Sequence, residues 1–293
     1  MKTTTKTTTA SAKTTSSLAG KAHRLQEILS GYQSVLVAFS GGVDSAYLAI
    51  AAQQAVGPRA LAVTADSPSY PDVHRRLALS IARDFGFTHE MIHTDELQRP
   101  EYRANPANRC YYCKDELYSR LAAIAEERGF AVVVDGNNAD DRGDYRPGRQ
   151  AAREHGVRSP LDEADLTKDE IRALAMAAGL NSWNEPASAC LSSRIPYGHA
   201  VTPEVLRQIE QAESLVRDLG FRVFRVRHHD QGSQGVLARL EIARAEMARA
   251  LEPDINARLI AALKGLGYQY VSLDLQGYRL GSLNEALPLR PVS

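Results

Sequence analysis

Three cysteines are the residues of this sequence whose type and spacing first suggest chemistry. Cys110 and Cys113 form a Cys-Tyr-Tyr-Cys pair, and Cys190 lies far downstream in the segment Ala-Cys-Leu-Ser-Ser-Arg. So small and odd a number of cysteines does not make a disulfide framework. We therefore interpret them as thiols, metal ligands or redox groups.

The number of ligands distinguishes the metal groups that these cysteines could hold. A structural zinc site needs four ligands, and the sequence has no second Cys-x-x-Cys and no histidine at zinc-finger spacing from Cys190. Three thiolates suit a 4Fe-4S cluster, in which Cys110, Cys113 and Cys190 are ligands and one iron stays open for sulfide. Persulfide or disulfide chemistry, zinc, and cysteines without a metal remain alternatives.

A second group of residues, Ser40 to Ser45, has the composition of a phosphate-binding loop. The stretch Ser-Gly-Gly-Val-Asp-Ser follows an apolar strand and opens a helix, so Gly41 and Gly42 let the backbone approach an anion beside free N–H groups. Ser40 and Ser45 add hydroxyl donors, and Asp44 indicates a bridging Mg²⁺ because it would otherwise repel phosphate. The alternative is a glycine turn in which Ser45 caps the helix.

The elements around this loop follow the pattern of an α/β protein. Apolar runs predict strands, and amphipathic stretches between them predict helices. The predicted strands are 34–39, 60–65, 88–93 and 131–135, and the helices are 45–56, 71–85 and 114–128. This alternation predicts a doubly wound parallel sheet covered on both faces.

The carboxyl ends of parallel strands are where open α/β sheets bind ligands. Ala38 and Phe39 end the first strand, Ala65 lies at the end of the second, and Gly136 follows the fourth. We therefore expect these four residues to flank a nucleotide.

Beyond residue 203 the pattern changes to a smaller α+β domain. A helix around 206–219 precedes two alternating strands, 221–228 and 236–242, then a helix at 244–263 and a strand at 268–275. The expected domains are a disordered Ser/Thr-rich tail (1–19), a nucleotide-binding domain (20–185) and the α+β domain (186–293).

The composition excludes several classes of protein. Lys plus Arg and Asp plus Glu each total 35 in 293 residues, so the net charge is zero. Such a balance argues against a polyanionic partner such as RNA. No run approaches the ~18 apolar residues of a membrane helix, and the N-terminus lacks the apolar core of a signal peptide. We expect a cytoplasmic protein without a membrane or nucleic-acid partner.

The loop and its context resemble the PP-loop of the ATP pyrophosphatases, which cleave ATP between the α and β phosphates and adenylate a substrate oxygen. Within that superfamily, residues 20–287 resemble the LarE family through a combination of motifs. These are SGGVDS (40–45), CYYCK (110–114), DYRPG (144–148), SPL (159–161), SSRIPYG (192–198), RVR (225–227) and LDLQGYR (273–279).

The resemblance implies an ATP-dependent sulfurtransferase that acts in the biosynthesis of the nickel-pincer nucleotide. This nucleotide is the cofactor of lactate racemase. The implied substrate is pyridinium-3,5-biscarboxylic acid mononucleotide, whose carboxylate is adenylated and converted to a thiocarboxylate. The implied cofactors are ATP with Mg²⁺ and a 4Fe-4S cluster, and the implied assembly is a homo-oligomer.

The resemblance also assigns roles to individual residues. Lys114 and Arg194 are candidates to neutralise charge on the nucleotide phosphates, and Arg194 joins the PP-loop residues as a nucleotide-binding residue. The candidate substrate-binding residues are Ser193, Glu213, Arg225, Arg227, Glu241 and Arg279, with Arg146 as a further candidate. Because Arg225 and Arg227 lie two apart on a strand they share a face, and the alternative is a solvated basic face.

Two sulfur strategies occur in the LarE family. Some members sacrifice a cysteine, and that position falls here on Ala189, one residue before Cys190. Others resemble this chain in having three cysteines that hold a cluster. We therefore favour the cluster type, with sacrifice of Cys190 as the alternative. A tRNA-thiolating PP-loop enzyme, and an ATP-dependent synthetase or regulator without sulfur chemistry, are two further hypotheses.

Overall fold

The computed structural model describes residues 17–143, 147–186 and 189–287. Most of the predicted tail, residues 1–16, lies outside this part. The first helix begins at Leu18, because the Ser17 hydroxyl accepts a hydrogen bond from the Gly20 N–H (3.2 Å) and caps it. The last two residues of the predicted tail therefore belong to α1.

A parallel sheet of four strands organises the first two thirds of the chain, in the order β3-β2-β1-β4. The strands are β1 (Val35–Ala38), β2 (Ala60–Asp66), β3 (His89–His93) and β4 (Val132–Val134). The helices in this part are α1 (Leu18–Ser30), α2 (Val43–Val56), α3 (Asp72–Phe85), α4 (Pro100–Arg103), α5 (Arg109–Arg128), α6 (Pro147–Glu154), α7 (Pro160–Glu163) and α8 (Lys168–Ala177).

Helices cover both faces of this sheet. One apolar cluster joins α1, α2 and α8 to one face, and a second joins α5 and α6 to the other. Helix α2 is almost entirely buried, because its many alanines let it lie close to the sheet. The predicted α/β class with a parallel sheet between helices is confirmed.

The rest of the described chain contains helices and a mixed sheet of three strands in the order β5-β6-β7. Strands β5 and β6 are antiparallel, and β6 and β7 are parallel. The helices and strands are α9 (Pro203–Asp218), β5 (Phe224–Asp230), β6 (Val236–Ile242), α10 (Arg244–Ala250), α11 (Pro253–Gly265) and β7 (Tyr270–Leu273). The single helix predicted at 244–263 is wrong: it is divided because Pro253 cannot continue α10 and instead begins α11.

The alternation of apolar and basic residues in the predicted strand 221–228 is typical of a half-exposed strand, but β5 is mostly buried. Arg227 and His228 are buried along with the apolar residues of the strand, and only its end reaches solvent freely. The alternating basic side chains of β5 therefore meet protein rather than water, and each must find partners inside the molecule.

A small apolar cluster joins the two parts of the chain. Tyr102 of α4 packs with Leu191, Ile195, Val201 and residues of α9. The described segments contain no helix with the length and apolar character needed to cross a bilayer.

Candidate active site

The Ser40–Ser45 loop turns from β1 into α2 through a small hydrogen-bond network. The Ser45 hydroxyl accepts from the Ser40 N–H (3.1 Å) and donates to the Gly42 carbonyl (3.0 Å). Gly41 has φ +73°, and an added Cβ there would lie 3.3 Å from the His74 carbonyl of α3. Glycine is required because both the backbone conformation and the close approach of α3 exclude a side chain.

Gly136 brings the end of β4 against the same helix N-terminus. An added Cβ at Gly136 would lie 3.0 Å from the Ser45 nitrogen. Thr64 of β2 reaches the loop from the other side, where its hydroxyl donates to the Phe39 carbonyl (2.8 Å). The side chain of Phe39 is buried, with its ring 5.5 Å from that of Phe87. Ala38, Phe39 and Gly136 thus lie at one sheet edge with the loop.

Asp44, in the first turn of α2, is a carboxylate with one oxygen engaged. Its Oδ2 accepts a hydrogen bond from the Lys168 ammonium, whereas Oδ1 is buried without a hydrogen-bond partner in the described residues. Burial raises the pKa of Asp44, and the charge of Lys168 opposes that shift. An oxygen of this kind is a suitable ligand for Mg²⁺, so Asp44 fits the predicted metal.

The Cys-Tyr-Tyr-Cys pair lies at the start of α5, not before it. Cys110 and Cys113 are three residues apart on the helix and share a face. Cys190 directly precedes a short helical turn formed by residues 191–194. Cys110 is solvent-exposed, and Cys113 and Cys190 are half-buried.

Asn105 and Arg109 hold the start of α5 against the segment that follows Cys190. The Asn105 amide donates to the carbonyls of Pro196 (2.8 Å) and His199 (3.0 Å). Arg109 donates to the Asn105 side-chain oxygen and to the Ser192 carbonyl (3.0 Å). Asn105 has φ +52°, a left-handed conformation that asparagine tolerates. These contacts bring the two cysteine segments together.

The three cysteines lie on two segments that hydrogen bonds hold together, and the charges of their thiols act on one another. Burial raises the pKa of Cys113 well above its usual value, and the charges of Glu96 and Cys190 add to the shift. Desolvation by the surrounding protein also raises the pKa of Cys110, and the charge of Cys190 raises it further. Burial alone would lower the pKa of Arg109, but the thiols of Cys190 and Cys110 raise it. The buried cation Arg109 therefore lies close enough to Cys110 and Cys190 to interact with their thiols.

No three His, Cys, Asp or Glu side chains in the described residues converge closely enough to hold a single metal ion. A 4Fe-4S cluster places different cysteines on different irons, so its ligands need not converge on one point. Three thiols on two neighbouring segments are a donor set compatible with such a cluster, and the cluster itself stays a prediction.

Residues 67–71 connect the segment that carries Cys190 to the Ser40–Ser45 loop. The Ser69 carbonyl accepts a hydrogen bond from the Leu191 N–H (2.9 Å), next to Cys190. The adjacent Tyr70 donates its hydroxyl to the Ser40 carbonyl (3.1 Å). Ser69 also donates to Glu96 (2.7 Å), whose carboxylate is buried. Two neighbouring residues therefore bridge the two candidate sites.

Arg194 uses its guanidinium to hold the Cys190 segment. Its Nε and Nη2 donate to the two carboxylate oxygens of Glu213 (2.9 and 2.8 Å), and Nη1 donates to the carbonyls of Ala189 and Cys190. Burial alone would raise the pKa of Glu213, but Arg194 holds it below its usual value. These contacts give Arg194 a positioning role, and its role in nucleotide binding stays a prediction.

Arg227 and Glu241 form a second buried pair between β5 and β6. Arg227 donates to Glu241 (2.7 Å), to the Ser193 carbonyl (2.6 Å) and to the Ser282 hydroxyl (2.7 Å). Glu241 also pairs with Arg239 at 3.2 Å. The Arg227 Nε is buried without a hydrogen-bond partner in the described residues.

Arg225 and His74 lie beside this network. Burial lowers the pKa of Arg225, and the charge of Arg194 lowers it further. Burial and the charges of Arg194 and Arg225 lower the pKa of His74 to about 4, so His74 is neutral at physiological pH. These shifts indicate that the guanidiniums of Arg194 and Arg225 lie close to each other and to His74.

Lys114 lies on α5, and Arg279 is linked to Glu241 through Asp274 and Arg239. The Lys114 ammonium is 5.4 Å from the centre of the Tyr118 ring, and Tyr118 donates to Asp135 at the end of β4 (2.8 Å). Arg279 pairs with Glu285 at 3.0 Å, on the segment after β7. Arg146 lies outside the described residues.

Sequence reasoning missed Tyr102, Asn105, Arg109 and Lys168. The stretch Thr-Lys-Asp-Glu at 167–170 is a capping-box signature, which could have located Lys168 at a helix start. The contact of Lys168 with Asp44 depends on the tertiary fold. So do the hydrogen bonds of Asn105, whose acceptor carbonyls lie 91 and 94 residues away along the chain.

A parallel sheet whose first strand leads through Ser-Gly-Gly-Val-Asp-Ser into a buried helix defines a protein of the PP-loop class. No protein-family model matches the chain. An uncharacterised protein of Synechocystis sp. is 41% identical over 270 residues, covering 92% of this chain and 99% of the relative.

The pyridinium-3,5-bisthiocarboxylic acid mononucleotide synthase of Lactiplantibacillus plantarum is 40% identical over 271 residues, covering 92% of this chain and 96% of that protein. One subunit of a glutamine-hydrolysing GMP synthase from Methanococcus maripaludis is 29% identical over 159 residues, about half of each chain. The chain belongs to the family of the mononucleotide synthase, the LarE family.

Proposed function

We propose that the protein is an ATP-dependent sulfurtransferase that converts a carboxylate of pyridinium-3,5-biscarboxylic acid mononucleotide to a thiocarboxylate. The observation that carries the proposal is the bridge formed by Ser69 and Tyr70. It connects the Ser40–Ser45 loop to the segment that carries Cys190. The product named for the related synthase of L. plantarum is the corresponding bisthiocarboxylate.

The nucleotide half of the reaction uses the N-terminus of α2. The free N–H groups of this helix and the hydroxyls of Ser40 and Ser45 would bind the phosphates of ATP. Asp44 would hold Mg²⁺, which supplies charge neutralisation on the phosphates when bound. A substrate carboxylate oxygen attacks the α phosphorus, and pyrophosphate leaves with the electrons of the broken P–O bond. Lys114 could stabilise that departing charge.

The sulfur half of the reaction replaces AMP. A sulfide attacks the acyl carbon of the adenylate, and AMP leaves with the electrons of the C–O bond. A 4Fe-4S cluster held by Cys110, Cys113 and Cys190 would supply that sulfide. Arg109 is a buried cation that interacts with Cys110 and Cys190, and it would favour anionic sulfur beside them.

The arginine network provides a counterpart for the acidic substrate. Glu213 and Glu241 neutralise Arg194 and Arg227, and they keep these side chains fixed. Arg225 and the neutral His74 lie next to them. The guanidinium of Arg225 would offer paired donors to an anionic group of the mononucleotide.

Turnover tests the proposed reaction. The anaerobically purified protein is incubated with sulfide, Mg²⁺, ATP and the pyridinium dicarboxylate, and AMP, pyrophosphate and the thiocarboxylate are measured. We expect all three products in equal amounts. AMP release with no sulfur in the substrate, or thiolation of tRNA instead, would contradict the proposal.

Iron analysis tests the cysteine ligands separately. We expect iron and acid-labile sulfide in the anaerobic protein, and their loss in Cys110→Ala, Cys113→Ala and Cys190→Ala. Full iron content in any of these variants would show that the ligand set is wrong. We also propose that the chain acts in the cytoplasm as a homo-oligomer, which sedimentation of the purified protein measures.

A further inference from the structure

Lys168 is a cation at the nucleotide site that the proposed reaction does not yet use. It is the first residue of α8, and its ammonium donates to Oδ2 of Asp44 in the first turn of α2. The Lys168 side chain is 32% exposed and that of Asp44 is 19% exposed. The pair therefore lies at the surface of the nucleotide site, and incoming phosphate can reach it.

The backbone of Lys168 is fixed by three different elements. Its N–H donates to Asp140, which follows β4 (2.8 Å). Thr167 and Glu170 close a capping box around it, and Glu170 pairs with Lys21 of α1 at 2.9 Å. The long Lys168 side chain thus starts from a fixed point, while its partly exposed end can exchange one partner for another.

Asp44 is only half satisfied by this contact. Its Oδ1 is buried and has no hydrogen-bond partner in the described residues. A further cation at Asp44 would be favourable, and it would leave the ammonium of Lys168 available to another anion.

We propose that Lys168 binds the β and γ phosphates of ATP, exchanging Asp44 for the nucleotide when Mg²⁺ takes the carboxylate. The phosphates arrive at the N-terminus of α2, where Asp44 already positions the ammonium. An ammonium is a strong donor to phosphate oxygens. This inference rests on the proposed ATP site and adds a binding residue to it.

Equilibrium binding separates this role from a structural one. Isothermal titration calorimetry with Mg²⁺ compares α,β-methylene-ATP, which keeps all three phosphates, with AMP, which lacks the β and γ phosphates. We expect Lys168→Met to weaken binding of the ATP analogue about ten- to hundredfold and that of AMP less than about twofold. Lys21→Met is the matched control, because it loosens α8 without removing the Asp44 contact.

A double variant sharpens the test. If Lys168 only neutralises Asp44, then Asp44→Asn combined with Lys168→Met restores the binding lost in Lys168→Met. We expect no restoration. Equal weakening of both ligands, the same loss in Lys21→Met, or rescue by the double variant would overturn the inference. Failure of the unaltered protein to bind the ATP analogue would instead refute the proposed ATP site itself.

Discussion

Arg194 illustrates how much at the residue scale could be predicted from sequence. The motif Ser-Ser-Arg marks it as a site residue, and the sequence also predicts Glu213 near the site. Their bidentate pairing could not be predicted, because it joins a loop to the buried face of α9. Sequence patterns locate a charged residue along the chain, but only the packed fold selects its partner.

Arg194→Met should destabilise the protein strongly, because it leaves the carboxylate of Glu213 buried and unpaired. We expect a loss of about 3–5 kcal/mol in the free energy of unfolding, measured in urea. Arg158→Met is the control, since the Arg158–Glu163 pair is half-exposed and should cost less than about 1 kcal/mol. Equal losses of unfolding free energy in the two variants would contradict this account, since the loss of the buried pair should cost more than that of the half-exposed pair.

His228 gives the protein a pH-dependent stability. Burial lowers the pKa of His228 from 6.5 to about 4. Between these values the unfolded chain binds a proton that the folded chain does not, so stability falls as the pH falls. This group contributes at most about 1.4 kcal/mol per pH unit.

We therefore expect His228→Phe to make the unfolding free energy decline less steeply between pH 6.5 and about 4. His93→Gln is the control, because the side chain of His93 is exposed. Urea unfolding across this range measures the slope. An unaltered slope in His228→Phe would contradict the assignment.

At the element scale, most strands and helices could be predicted from apolar periodicity, whereas their mutual contacts could not. Strand β6 matches its predicted range, 236–242. The single long helix predicted after it is instead two helices, because Pro253 begins a new one. The sequence marks the start of α5 and the Cys190 segment as cysteine-bearing. The fact that Asn105 fastens one to the other depends on a left-handed backbone and on distant carbonyls.

Asn105 should be the residue on which this junction between elements depends. Asn105→Gly keeps the backbone conformation but loses the amide contacts, at a cost of about 1–3 kcal/mol. Asn105→Ala should cost about a further 1 kcal/mol, because alanine disfavours positive φ. Asn108→Ala is the control, since its side chain makes no capping hydrogen bond. Urea unfolding measures all three, and equal stability of Asn105→Ala and Asn108→Ala would contradict this account.

At the scale of the whole molecule, two apolar cores are linked through Tyr102, Leu191 and the helix α9. A hydrogen bond from Arg227 of β5 to the Ser193 carbonyl adds a polar contact in the same region. The boundaries of the predicted domains, 20–185 and 186–293, stay predictions. We expect these contacts to couple the unfolding of the two cores.

The single tryptophan, Trp183, allows this coupling to be measured. It packs against the core of the large sheet, so its fluorescence reports on that core alone. We expect its urea transition to coincide with that of far-UV circular dichroism, which reports on all elements. Two separated transitions would show that the cores unfold independently.

The most direct test of the proposed sulfur chemistry counts product molecules for each protein chain. Anaerobic protein reacts with excess ATP, Mg²⁺, sulfide and the pyridinium dicarboxylate, and mass spectrometry follows both product and intact protein. The account predicts several thiocarboxylates per chain and an unchanged protein mass. A single product per chain, with a protein that has lost the sulfur of Cys190, would contradict it.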